Sequence, residues 1–174
     1  MALARAMCRH ITADKPQTII ELGAGTGAVT RGLVQAMHQD SRLISVEIDH
    51  DFAQVLRMHY PQAEVLECDV VELKPKLAEL GVDRADVFVS GLPTPSLPKA
   101  VNVAVLEAFR DITGDGAGHG VFSQLTVMPY VYKSFYQKLF DQVDFDLVVA
   151  NIPPGGAYHC RGLKDDFADR LPDK

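Results

Sequence analysis

Two spacings of apolar residues alternate along the chain. Leu3, Met7 and Ile11 recur every four positions with Arg5 and Arg9 between them, which predicts a short amphipathic helix over residues 2–11. Thr18-Ile19-Ile20-Glu21-Leu22 is a brief buried strand that stops at a glycine cluster. Val29, Leu33 and Met37 give a second helix, and residues 43–47 a second strand. Asp49 and Asp51 supply the negative charge that a helix N-terminus favours, ahead of Phe52, Val55, Leu56 and His59. Residues 63–68 and 85–90 are the third and fourth strands; a helical pattern over 72–80 between them is interrupted by Pro75. Pro98 opens a helix through Val101, Val105 and Phe109, Gly114 to Gly118 forms a turn, and residues 121–128 are the fifth strand. Tyr132, Phe135, Tyr136, Leu139 and Phe140 form a helical stripe whose ordinary role is core packing. The strands at 145–150 and 157–161 lie so close in sequence that an antiparallel hairpin is expected.

This alternation predicts one α/β domain over residues 1–174, with parallel strands, helical crossovers and an antiparallel edge. A chain of 174 residues, 47% hydrophobic and 23% charged, has globular proportions, which excludes disordered, collagen-like and coiled-coil classes. No apolar run approaches the roughly 20 residues that span a bilayer, so contact with a membrane is expected only from its surface. A net charge of -6 disfavours a polyanion such as RNA or DNA as partner. Cys8, Cys68 and Cys160 lack CxxC spacing and read as reduced thiols of a cytoplasmic protein. The six histidines lack ligand spacing, and no metal site is expected.

The chemistry concentrates in Glu21-Leu22-Gly23-Ala24-Gly25-Thr26-Gly27, which leaves a strand and enters a helix. Such a loop admits a ligand close to the backbone, or serves as a plain β–α turn. Its G-x-G-x-G spacing is neither the dinucleotide fingerprint nor a P-loop, which favours a nucleoside over a pyrophosphate. Glu47 stands 20 residues beyond Gly27, where a strand-end carboxylate accepts ribose hydroxyls in such sheets; the alternative is a solvated acid. Asp69 ends the third strand and either meets an adenine amino group or caps the turn that follows. Three strand-end carboxylates without a basic partner suit a cationic ligand such as a sulfonium nucleoside. After the fourth strand, Ser90-Gly91-Leu92-Pro93 with Thr94 and Pro95 makes a rigid loop, either a stiff connection or a carbonyl-lined amine site.

On these residues the chain resembles the class I S-adenosylmethionine-dependent methyltransferases. More narrowly it is similar to the bacterial phospholipid N-methyltransferases that act on phosphatidylethanolamine. The likeness runs through LARAM, IIELGAGTGAVT, ISVEIDHDFAQVL, ECDV, DVFVSGLP, FSQLTVMP and NIPPGGAYHCRG. The resemblance implies a Rossmann-like fold with a mostly parallel seven-stranded sheet, its last strand antiparallel, and helices on both faces. It implies S-adenosyl-L-methionine as cofactor, with S-adenosyl-L-homocysteine as product. Glu21, Gly23, Ala24, Gly25 and Gly27 would surround the methionine part. Glu47 would take the ribose, Ile48 would pack on adenine, and Asp69 with Val70 would bind the adenine edge. Ser90, Gly91, Leu92 and Pro93 would border the transferred methyl and the acceptor nitrogen. The expected partner is a phospholipid headgroup at a membrane surface, and the expected location is cytoplasmic and peripheral on the inner face. The family's basic amphipathic N-terminal segment is expected to be missing, since the chain starts just after it.

The ribosomal RNA adenine dimethylases offer a second likeness. They carry Asn-Leu-Pro-Tyr or similar after the fourth strand, whereas Ser90 and Gly91 precede Leu92-Pro93 here and Thr94 replaces the aromatic. Asn151-Ile152-Pro153-Pro154 imitates the motif in a different loop. RNA or a small amine is therefore the alternative acceptor, and a non-catalytic cofactor-binding domain the alternative of another class. Tyr130, Tyr158 and His159 are candidates to help deprotonate the amine. The two tyrosines either recognise a methylated ammonium by cation–π attraction or sit as amphipathic side chains on a rim.

Overall fold

The computed structural model describes residues 2–113, 120–128, 130–150 and 154–173. Seven strands form one sheet: β1 (Thr18–Leu22), β2 (Arg42–Glu47), β3 (Ala63–Glu67), β4 (Val87–Ser90), β5 (Val121–Thr126), β6 (Phe140–Val148) and β7 (Gly155–Leu163). Their order is β3-β2-β1-β4-β5-β7-β6. The first five are parallel, and β7 runs antiparallel between β5 and β6. This is the Rossmann-like methyltransferase fold, with the antiparallel last strand in place.

Helices follow from the apolar spacing. On one face lie α1 (Ala2–Met7), α2 (Thr30–Ala36) and α3 (His50–His59), whose first turn is capped by Asp49 accepting from the Phe52 amide at 3.0 Å. On the other lie α4 (Leu73–Glu79), α5 (Lys99–Ile112), α6 (Lys133–Leu139) and the short α7 (Phe167–Arg170). Pro75 does not break α4, because it falls in the first turn, where a missing N–H costs no internal hydrogen bond. Beneath α5 and α6, Phe88, Phe109, Phe122 and Phe140 pack ring against ring, at 5.3 Å for Phe88–Phe109 and 5.5 Å for Phe109–Phe122.

Several boundaries differ from the sequence expectation. The first helix stops at Met7, although Ile11 is still buried. The hairpin is longer than expected: β6 begins at Phe140, five residues early, and β7 spans Gly155–Leu163. Phe140 fits the helical stripe by spacing, but it opens a strand whose alternate residues face solvent at the sheet edge. The fifth strand ends at Thr126, which frees residues 127 and 128 for a turn. The expected turn at 114–118 and the segment 151–153 lie outside the described residues.

One edge of the sheet collects the functional positions. The strand order reverses between β1 and β4, and the carboxyl ends of β1, β2, β4 and β5 all open there. The register places Leu22 beside Ser90 and Thr126 beside Gly156.

Candidate active site

The loop after β1 has three glycines at positive φ: Gly23, Gly25 and Gly27. The amides of Gly23 and Ala24 both donate to the Val46 carbonyl, at 2.9 and 3.2 Å, fastening the loop to β2. Gly25 is the informative position. Its φ of +55° suits glycine, and a Cβ built there would meet nothing within 4 Å. At Gly23 such an atom would strike Leu92, and at Gly27 the Tyr60 ring. The chain therefore leaves open space over Gly25 and fills it on either side.

Glu47 borders this space. It is 7% exposed, and its carboxylate accepts the Gly25 amide at 2.7 Å and the Asp49 amide at 2.9 Å. Next to it Ile48 is 66% exposed, an apolar side chain held out at the tip of β2. Asp69 is exposed and uses one oxygen to cap the turn at Val70–Glu72, accepting from the Val71 amide at 3.1 Å. The half-buried Val70 follows it.

Glu21 lies below the loop and is buried. Thr30, the first residue of α2, donates to it at 2.8 Å, and Ser45 of β2 at 2.6 Å. Burial pushes its carboxyl up to about 7, against the lowering effect of these hydroxyls. The group ties β1, β2 and α2 together under the glycines.

The second loop packs on the first. The Gly91 amide donates to the Leu22 carbonyl at 2.8 Å, and a Cβ at Gly91 would stand 2.9 Å from the Gly23 carbonyl oxygen. Only glycine permits that approach of two backbones. Ser90 is fully buried, Leu92 is half-buried, and Gly91 and Pro93 are exposed. Gln124 of β5, also buried, holds the loop from behind. Its Nε2 donates to the carbonyls of Leu92 at 2.7 Å and Ser90 at 3.2 Å, and its Oε1 accepts from Thr94 at 2.6 Å. Asn102 of α5 completes the frame by donating to the Thr94 carbonyl at 3.0 Å.

Tyr158 of β7 is buried opposite Gln124 of β5, its ring tilted between those of Tyr136 and Phe145 at 4.9 and 4.7 Å. Burial raises its phenol, which keeps it protonated at neutral pH. Its hydroxyl is buried beside the backbone at Tyr130 and Tyr132, which offsets part of that rise. Tyr130 is 60% exposed, has φ of +70°, and rests its ring 5.1 Å from Phe145. His159 faces the other side of the sheet, 2.9 Å from Ser123 and 3.3 Å from Asp146, and burial lowers it to about 4, so it is neutral at pH 7.

Comparison with known proteins adds to this geometry. A family model described as ribosomal RNA adenine dimethylase matches residues 3–107. The ornithine lipid N-methyltransferase of Singulisphaera acidiphila is 41% identical over 168 residues, which cover 95% of this chain and 86% of that one. Ribosomal RNA small subunit methyltransferase A of Paracidovorax citrulli is 38% identical over 94 residues, 53% of this chain and about a third (35%) of that protein's length. Among solved structures, human methyltransferase-like protein 13 in complex with S-adenosylhomocysteine superposes with a TM-score of 0.62 at 18% identity, covering 98% of this chain and 86% of that one.

The chain belongs to the class I S-adenosylmethionine-dependent methyltransferases. It falls in the family that the matching model describes, and its cofactor is S-adenosylmethionine. The cradle fits such a group: the methyltransferase offers open space over Gly25, a carboxylate at Glu47 and an exposed apolar wall at Ile48. Sequence reasoning points to Gly25 and Glu47 through the spacing of a βαβ unit, and to Ile48 through the family resemblance. It missed Thr30, Ser45, Gln124 and Asn102, and the anchoring contact of Thr94, all of which depend on contacts between separate elements. The motif FSQLTVMP contains Gln124, but nothing in it says that the Gln124 amide reaches back 34 and 32 residues to Ser90 and Leu92.

Proposed function

We propose that this methyltransferase acts on the primary amine of a membrane lipid headgroup. The observation that supports this most is the likeness to an ornithine lipid N-methyltransferase along 95% of the chain. The adenine dimethylase model, by contrast, ends at residue 107, before β5 and Gln124. An ornithine lipid is thus the first acceptor to test. Phosphatidylethanolamine, suggested by the sequence motifs, presents the same kind of amine and is the second.

In this reading Glu47 turns from the Gly25 amide to the ribose hydroxyls, Ile48 packs on the adenine, and Asp69, with Val70 beside it, uses its second oxygen for the adenine amino group. Gly23, Ala24, Gly25 and Gly27 line the methionine part, while Glu21 is a positioning residue beneath them. S-adenosylmethionine supplies an electrophilic methyl on a sulfonium. The chain's task is to hold an amine nitrogen in line with it, and alignment of this kind supplies much of the acceleration in a displacement. Ser90 to Pro93 border the nitrogen in this reading, and Gln124 fixes their course by donating to the Ser90 and Leu92 carbonyls, the second of which also accepts the Thr94 amide at 2.8 Å.

A lipid ammonium titrates near ~10.4 as lysine does, so it must lose a proton before it attacks. Tyr158, held protonated by burial, is no base at neutral pH, and His159 lies on the opposite face. Desolvation at the loop favours the neutral amine instead. Tyr130, exposed after β5, would meet a methylated ammonium by its ring face.

The test is methyl transfer from labelled S-adenosylmethionine into vesicles of ornithine lipid, vesicles of phosphatidylethanolamine, and ribosomal RNA. Label in the organic phase supports the reading. Label in RNA alone overturns it.

A further inference from the structure

We infer that the carboxyl edge of the sheet is a docking face for an anionic lipid bilayer, in which the turn after β5 and the end of β6 enter the interface while Arg5 and Arg31 meet anionic headgroups. The partner rests on the lipid-amine reading above. Among the described residues, six of the ten exposed large apolar side chains gather here: Val127, Met128, Tyr130, Val131, Leu147 and Val149, each 43% to 72% exposed. Scattered apolar residues on a surface are ordinary, but a contiguous group marks an interface or a membrane.

Contiguity follows from the register. Thr126, just before Val127, pairs with Gly156, and Gly156 pairs on its other side with Leu147. Tyr130 packs on Phe145, which shares a strand face with Leu147. No charged residue occurs between Thr126 and Lys133, or between Asp146 and His159. An aromatic hydroxyl with aliphatic neighbours and a flanking lysine is the composition found at membrane–water interfaces.

The arginines lie on the adjoining side. A groove of about 800 Å³ between α1 and α2 is lined by Arg5 and Arg31, by Ala4 and Gly32, and by Thr26 and Gly27 at the end of the glycine loop, with no carboxylate in its lining. Neither guanidinium makes an ion pair or hydrogen bond among the described residues, whereas that of Arg9 is paired with Asp144 and Asp146. In a chain of net charge -6, two unpaired guanidinium groups around an acid-free groove fit an anion. The groove reaches the apolar group through the first turn of α1, where Leu3 lies against Gly155. Anionic headgroups over the arginines and acyl chains beside Val127 would satisfy both features at once.

A bilayer fits better than a protein partner because of what lies behind the patch. Gln124, two residues before Thr126, carries the acceptor loop. A protein seated there would cover the entrance, while a bilayer delivers the amine to it.

The experiment uses the full chain in three forms: parent, V127S/V131S and R5E/R31E, with circular dichroism to check folding. Each is sedimented with phosphatidylglycerol/phosphatidylcholine vesicles and with phosphatidylcholine vesicles alone. The parent is expected to bind the anionic vesicles and to be released by salt. V127S/V131S should lose at least about tenfold in partitioning on both vesicles, and R5E/R31E should lose its preference for the anionic ones. V127S/V131S should keep parental turnover on a short-chain lipid amine below its micelle concentration. Partitioning of either variant equal to the parent's overturns the inference, as does binding of ribosomal RNA without binding of vesicles. If the parent binds vesicles as expected yet methylates no lipid amine, the docking face stands and the acceptor reading fails. Methylation of detergent-dispersed lipid without vesicle binding has the opposite meaning.

Discussion

Glu47 links the sequence pattern to the chemistry most directly. The distance from the glycine loop to the end of β2 is set by one helix and one strand, so its place is legible in the spacing alone. Its bonds to the Gly25 and Asp49 amides are not, because they depend on how the loop turns back. Glu47→Gln keeps an acceptor oxygen for one amide and loses the charge. Calorimetry should show S-adenosylhomocysteine binding weakened about 10- to 100-fold, the usual worth of a charged hydrogen bond. An unchanged affinity would remove Glu47 from the site. Glu21 behaves differently. Its carboxyl is raised from 4.5 to about 7 in the folded state, so folding holds its proton and stability falls as pH rises from about 4.5 through 7. Glu21→Gln removes this dependence. The stability difference, variant minus parent, should move in the variant's favour between pH 5 and pH 8 in urea titrations. A difference independent of pH would contradict the buried, proton-holding carboxyl. The sequence pattern places Glu21 in the loop but not beneath it, since Thr30 and Ser45 sit on other elements.

The acceptor loop shows what an element needs from its neighbours. Two prolines and a glycine make the segment after β4 stiff, and that much is written in the sequence. Its shape is set by Gln124, Thr94 and Asn102, three buried polar groups from β5, the loop itself and α5. Gln124→Leu leaves the Thr94 hydroxyl and two carbonyls without this partner, at a cost of about 1–3 kcal/mol in stability. Because Gln124 touches neither cofactor nor amine in this account, its loss should lower kcat or raise the acceptor KM about tenfold or more, with cofactor affinity within about twofold of the parent's. Equal losses in cofactor binding would mean that the two loops collapse together. Strands β1 and β4 are easy to read, being short apolar runs buried on both faces. The hairpin is harder. Phe140 satisfies both a helical and an alternating spacing, and only packing against Phe109 and Phe122 resolves it in favour of β6.

At the scale of the molecule, alternating periods predict parallel strands with crossovers, and the short connection near the end predicts the antiparallel hairpin. The insertion of β7 between β5 and β6 is a matter of tertiary pairing, and so is the apolar face it helps to make. Thr126, next to Val127, and Leu147 stand 21 residues apart in sequence, yet both pair with Gly156. The candidate cofactor site is the more legible part, because it depends on local turns and fixed spacings. The acceptor is less so, because it depends on the loop, on the face around it and on what that face touches. The proposed cofactor cleft lies over Gly25, between Glu47, Ile48 and Asp69, and opens toward Ser90 to Pro93. The most direct measurement is a crystal structure of the full chain with S-adenosylhomocysteine. The ribose hydroxyls are predicted within hydrogen-bonding distance of Glu47, with the adenine on Ile48 and the sulfur facing the Ser90–Pro93 loop. A nucleoside bound elsewhere, with Glu47 still closed on the Gly25 amide, would contradict it.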